Sequence, residues 1–161
     1  MTRMRNHRRN LLLLLLSLAL AACATGHGRG TPKTALDVLQ RREPAVEWNA
    51  SSLIQADLDQ DGVPDYALSG LRKDRVVVGL VHGPVAAGSP VWTLEFPWKG
   101  GGEDALCSKD ARIAPEPLDD TEAAKSGRPV KGTGINLHDD RCDAFHIFWN
   151  AEKKKFEWWR L

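Results

Sequence analysis

SSLIQADLDQDGVPDYALSGL, residues 51–71, is the stretch on which the fold turns. Its centre packs Asp57, Asp59, Asp61 and Asp65 around a single glycine, Gly62. Asp and Gly favour turns, because short polar side chains bond to nearby backbone and glycine adopts positive φ. The flanks, SSLIQA (51–56) and DYALSGL (65–71), read as strands. Two strands joined by an acidic loop predict a β-hairpin.

Working outward, RVVVGLVH (75–82) is β-branched and follows the tight turn RKD. VWTLEF (91–96) follows the turn-prone GPVAAGSP, and Gly100 to Gly102 interrupt the pattern. KDARIA (109–114) and GINLHD (134–139) are weaker strand candidates, with a polar, proline-containing loop expected over 115–133. DAFHIFWN (143–150), the charged turn AEKKK and FEWWRL (156–161) read as a second hairpin. TALDVLQRRE predicts one helix of two or three turns, with Thr34 as N-cap and Pro44 as a stop. No segment repeats another, which argues against a propeller or solenoid. The expected fold is mainly β (α+β): one small domain over 34–161, mostly antiparallel, with one short N-terminal helix.

Counting from Asp57, aspartates occupy loop positions 1, 3, 5 and 9, with Gly62 at 6 and Val63 at 7. That is the first three-quarters of the EF-hand ligand scheme, in which 1, 3 and 5 give side-chain oxygens and 7 a backbone carbonyl. Four carboxylates within nine residues repel one another unless a cation lies among them. A flexible, all-oxygen loop suits calcium better than magnesium. The twelfth position, a bidentate Glu in an EF-hand, is Leu68 here. With strands in place of flanking helices, the loop resembles the Asp-x-Asp-x-Asp-Gly-x-x-Asp calcium loops of FG-GAP and VCBS-type repeats. The resemblance implies Asp57, Asp59, Asp61 and Asp65 as side-chain ligands and Val63 as a carbonyl ligand. It covers only this local segment, and the expected role of the ion is to fix the hairpin.

At the N-terminus, Arg3, Arg5, Arg8 and Arg9 precede the apolar run LLLLLLSLALAA, residues 11–22. Twelve helical residues rise about 18 Å, short of the roughly 30 Å hydrocarbon core. A basic start, a short apolar run and small residues at its end read as a secretory signal over 1–22. Leu20-Ala21-Ala22-Cys23 resembles the lipobox of bacterial lipoproteins. That resemblance implies a diacylglycerol on the Cys23 thiol and a membrane anchor without a spanning helix. Ala24 after the cysteine implies delivery to the outer membrane, facing the periplasm. Residues 23–33, rich in glycine, are expected to tether the lipid to the domain.

The chain has 22 basic and 21 acidic side chains. The signal holds four Arg and no acid, so 18 basic groups face 21 acidic ones beyond it, a net charge of −3. No basic stripe or nucleic-acid module is present, and no nucleic-acid partner is expected. Export makes a disulfide between Cys107 and Cys142 the default, a structural staple worth about 3–4 kcal/mol.

His82, His138 and His146 are candidate acid–base residues, and His138-Asp139-Asp140 is a compact cluster. No zinc-type histidine spacing and no Gly-x-Ser-x-Gly occurs. Trp48, Trp92, Trp98, Trp149, Trp158 and Trp159 all lie beyond the signal. On the last hairpin, Phe145, Ile147 and Trp149 share one face and Phe148 lies on the other beside His146. The tryptophans are expected mainly in the core, the alternative being an exposed aromatic patch for a protein or glycan partner. The expected function is a non-enzymatic binding or envelope role. Alternatives are an inhibitor or accessory protein of a periplasmic enzyme, or an envelope hydrolase using His138 or His146 with nearby aspartates.

Overall fold

The computed structural model describes residues 31–118 and 131–160. The signal, Cys23 and most of the tether lie outside the described residues. The chain runs through helix α1 (Pro32–Arg42), β1 (Glu47–Trp48), a 3₁₀ turn (Ala50–Ser52), β2 (Ile54–Ala56), β3 (Asp65–Arg72) and β4 (Arg75–Val81). It continues through β5 (Val91–Pro97), β6 (Arg112–Leu118), β7 (Gly132–His138), β8 (Phe145–Asn150) and β9 (Lys155–Arg160). All strand pairs are antiparallel. The mainly β, single-helix architecture expected from the sequence is what forms.

Two sheets result. In the first, β1, β3, β4 and β5 lie side by side, with β2 pairing the other end of β3. The second is a meander, β6-β7-β8-β9. The period-2 alternation of strand side chains divides β4 between two interfaces. Val76, Val78 and Leu80 face the second sheet and pack with Phe96, Ile135, Leu137, Phe145, Ile147 and Phe156. On the other face Val81, with Tyr66 and Leu68 of β3, meets Ala35, Val38 and Leu39 of α1. Burial on both faces explains why RVVVGLV is an unbroken apolar run rather than an alternating one. Gly79 lets the helix layer close: a Cβ there would stand 2.4 Å from Trp48 Cη2 and 2.7 Å from Leu39 Cδ2.

Several boundaries differ from the sequence reading, and three of the differences matter most. The helix begins two residues before Thr34, with Thr31 as its N-cap, whose Oγ1 accepts the Thr34 N–H at 3.3 Å. Thr31 to Lys33, expected in the tether, thus belong to the helix and its cap. SSLIQA is not one strand; Ala50–Ser52 form a turn capped by the Asn49 side chain, and only Ile54–Ala56 pair with β3. β6 continues to Leu118, through Pro115 and Pro117, where a loop was expected. It is an edge strand, and two prolines of the same parity both place their missing N–H toward the open edge.

Trp159 is buried, and the other five tryptophans are half-buried. Trp92 stands edge-on to Trp149 and Phe156, with ring centroids 5.3 and 5.5 Å apart, and Trp158 packs on Phe96 and Phe145. Phe148 lies on the opposite face of the second sheet with Leu118 and Trp159, as its register requires.

Cys107 and Cys142 form a disulfide with Cα atoms 5.9 Å apart. Asp139 ties its two ends together: Oδ2 accepts the Cys107 N–H at 2.6 Å, and Oδ1 accepts those of Arg141 and Cys142 at 3.0 Å. Burial disfavours the Asp139 carboxylate, but these amides and that of Ser108 outweigh it and hold its pKa below the ordinary value.

Candidate metal centre

The β2–β3 hairpin presents the acidic loop. Ala56 pairs with Asp65, so residues 57–64 are the connection. Two residues, Gln60 at φ 65° and Gly62 at φ 86°, take the left-handed conformation and curl the chain back on itself. Side-chain oxygens hold that curl. Asp57 Oδ2 accepts the Gly62 N–H at 3.0 Å, Asp59 Oδ1 that of Asp61 at 3.2 Å, and Asp61 Oδ1 that of Val63 at 2.7 Å.

Each of these three aspartates therefore spends one oxygen on the loop and keeps another. Oxygens of Asp57, Asp59 and Asp61 lie within 4.8 Å of one another. Ligands on opposite sides of a calcium shell are about 4.6–5.2 Å apart, so the three fit one sphere. Asp57 Oδ1 is shielded from solvent and meets no hydrogen-bond donor. A buried carboxylate oxygen left this way costs more than 1–3 kcal/mol, the penalty typical of neutral groups. Asp59 shows the same electrostatic pressure: burial first, then the charges of Asp65 and Asp61, raise its pKa, against the opposing effects of the Asp61 N–H and His82. The donor set fits a hard divalent cation.

Asp65, expected as the ninth-position ligand, also ties the backbone together. It is 3% exposed. Its Oδ2 accepts the N–H groups of Leu58 and Asp59 at 3.0 and 3.3 Å. Its Oδ1 accepts the Gly83 N–H at 2.9 Å and lies 3.1 Å from His82 Nδ1. Asp65 thus ties the start of the loop to the end of β4. Val63, expected to offer its carbonyl, is fixed in the loop through its own N–H on Asp61.

His82 is the member of the centre that the aspartate motif does not announce. Its Nδ1 is 3.2 Å from Asp59 Oδ2, and its Nε2 is 3.8 Å from Asp61 Oδ2. The register explains its arrival: Tyr66 pairs with Val81, and one step further sets His82 beside Asp65. The loop is also docked on the second sheet, where the Gln60 side-chain amide donates to the Lys131 carbonyl. Gly132, at φ 103°, leaves the space that the Gln60 side chain occupies.

The other two histidines stand in separate arrangements. His146 Nδ1 lies 3.0 and 3.1 Å from the Glu116 oxygens, and its ring stacks on Trp159 at 5.2 Å. Asn136 also donates to Glu116. His138 Nδ1 lies 2.9 Å from Asp140, which Arg112 also pairs. Each of these rings is thus paired with a carboxylate. No helix among the described residues is long and apolar enough to cross a membrane. No protein-family model matches the chain, and neither does any curated protein or solved structure.

Proposed function

We propose that the protein is an exported lipoprotein, anchored through Cys23, whose β domain is held by calcium in the Asp57–Asp65 loop and serves a non-enzymatic binding or envelope role. The observation that carries the metal reading is Asp57 Oδ1, a solvent-shielded carboxylate oxygen with no donor, in a loop where two further acids converge. Asp57, Asp59 and Asp61 would hold the ion by side-chain oxygens and Val63 by its carbonyl, while Asp65 keeps the loop closed. The ion supplies positive charge that offsets the repulsion among these acids. The loop joins β2 to β3 and touches the start of β7 through Gln60, so fixing it fixes the junction between the two sheets. The anchor reading is supported by the sequence Leu20-Ala21-Ala22-Cys23 after a basic, apolar leader.

Two experiments test this. Calcium should raise the melting temperature of metal-stripped protein, and Asp57→Asn should abolish that response; an unchanged melt in the wild type removes the calcium reading. Mass spectrometry of the N-terminal peptide should find a diacylglycerol on Cys23, and Cys23→Ser should leave the membrane fraction. An unmodified Cys23 removes the anchor.

A further inference from the structure

A nitrogen at the edge of an oxygen-lined loop changes which metals the centre can take. His82 lies outside the loop, just beyond β4, yet its Nδ1 stands 3.2 Å from Asp59 Oδ2 and 3.1 Å from Asp65 Oδ1. Ligand atoms from these three residues lie within 4.8 Å of one another. Zinc-type bonds to nitrogen and oxygen are about 2.0–2.2 Å, which puts neighbouring ligands about 3.0 Å apart in an octahedral shell and about 3.4 Å in a tetrahedral one. The two His82–carboxylate separations fall in that interval. One imidazole nitrogen has one N–H and faces two shielded carboxylates; Asp65 already accepts the Leu58, Asp59 and Gly83 N–H groups, so Asp59 Oδ2 is the oxygen left to share it. The Asp59 and Asp65 side chains are 12% and 4% exposed.

We propose that Asp59, Asp65 and His82 form a site for a borderline divalent metal of the zinc, cobalt or nickel class, beside the calcium loop and sharing Asp59 with it. The imidazole makes the choice: calcium takes oxygen donors, whereas imidazole suits first-row transition metals. The ring is placed for this. Trp92 stands edge-on to it at 6.3 Å, and Nε2 faces Asp61 and carries the proton when Nδ1 binds metal. With three protein ligands, water completes the shell on the half-exposed side of His82. Such an ion would join the β2–β3 loop to the end of β4, and Asp59 would couple its binding to that of calcium.

This inference rests on the same loop geometry as the calcium reading but not on calcium itself. The test titrates metal-stripped full-length protein in detergent with Zn²⁺ alone and Ca²⁺ alone by calorimetry, for wild type, His82→Asn and Asp57→Asn. His82→Asn keeps an N–H near the Nδ1 position but offers no imidazole to a metal. Zn²⁺ affinity should fall at least tenfold in His82→Asn with Ca²⁺ affinity held within threefold, and Asp57→Asn should do the reverse. Zn²⁺ should also shift the His82 Nδ1 resonance in nitrogen NMR, a signature that a merely structural histidine would not give. Wild type that binds no Zn²⁺, or His82→Asn that binds it equally well, overturns the inference and leaves the calcium reading standing. Zn²⁺ binding lost in His82→Asn, with no Ca²⁺ binding in any variant, supports the inference and overturns the calcium reading instead.

Discussion

Asp65→Asn is the substitution that best separates the two tasks of the acidic loop. Asp65 accepts the backbone N–H groups of Leu58, Asp59 and Gly83 and faces His82, while only 3% exposed. Asparagine has nearly the same volume but turns one acceptor oxygen into an NH₂ that faces these donors. Hydrogen bonds to a charged group are worth about 1.5–3 kcal/mol each, and buried donors left unsatisfied cost about 1–3 kcal/mol. Losing two of the four, and the charge behind the rest, should cost about 3–5 kcal/mol, allowing for local relaxation. The assay is urea unfolding at neutral pH in excess chelator, so that no metal contributes. With a slope of about 1–3 kcal/mol per molar, the midpoint should fall by about 2 M. Asp61→Asn is the control: its side chain is 38% exposed, and its bond to the Val63 N–H lies at the surface. It should change stability in chelator by less than about 1 kcal/mol. A loss below about 1 kcal/mol for Asp65→Asn would show that Asp65 is not the tie described.

Three further predictions follow. Reducing Cys107–Cys142, or replacing Cys142 by Ser, should cost about 3–4 kcal/mol in denaturant unfolding, from the 35-residue separation it closes; an unchanged midpoint would contradict the staple. Gly83→Ala should cost about 3 kcal/mol, because its Cβ would meet the Pro64 carbonyl oxygen at 2.2 Å, whereas Gly88→Ala meets nothing within 4 Å and should be neutral; equal melts would refute this. Hydrogen bonds from Lys153 and Asn150, opposed by burial, lower the Glu157 pKa from 4.5 to about 2. Because the folded value is depressed, its contribution is present above pH 4.5 and lost as pH falls toward 2. Asp139 acts in the same direction, so Glu157→Gln should flatten part of the acid limb of a stability–pH curve; an unaltered limb would deny the pairing.

Much of the fold was legible because hairpins announce themselves locally. The strand–loop–strand reading of 51–71 and the final hairpin needed only alternation and turn residues. What escaped depended on partners distant in sequence. Pro115 and Pro117 looked like loop until β6 proved to be an edge, and edge status is a property of the sheet, not of the segment. Thr34 reads as a cap only if Pro32 belongs to the tether, whereas proline suits a first helical turn and the cap is Thr31. At the site, spacing brought out the aspartates but could not show that Asp65 also accepts backbone N–H groups from two strands' ends. His82 was recoverable in principle: the tight turn at 73–74 fixes the β3–β4 register, and that register sets His82 beside Asp65. Following a register outward from its turn is how such a residue is found.

The central claim is that a calcium ion completes the loop around Asp57. Its most direct measurement is the melting temperature of metal-stripped wild type and Asp57→Asn, each with chelator and with millimolar Ca²⁺. Calcium should raise the wild-type melting temperature by several degrees, as binding to the folded state alone requires, and leave Asp57→Asn where chelator left it. A wild-type protein that melts at the same temperature in both buffers would contradict the account.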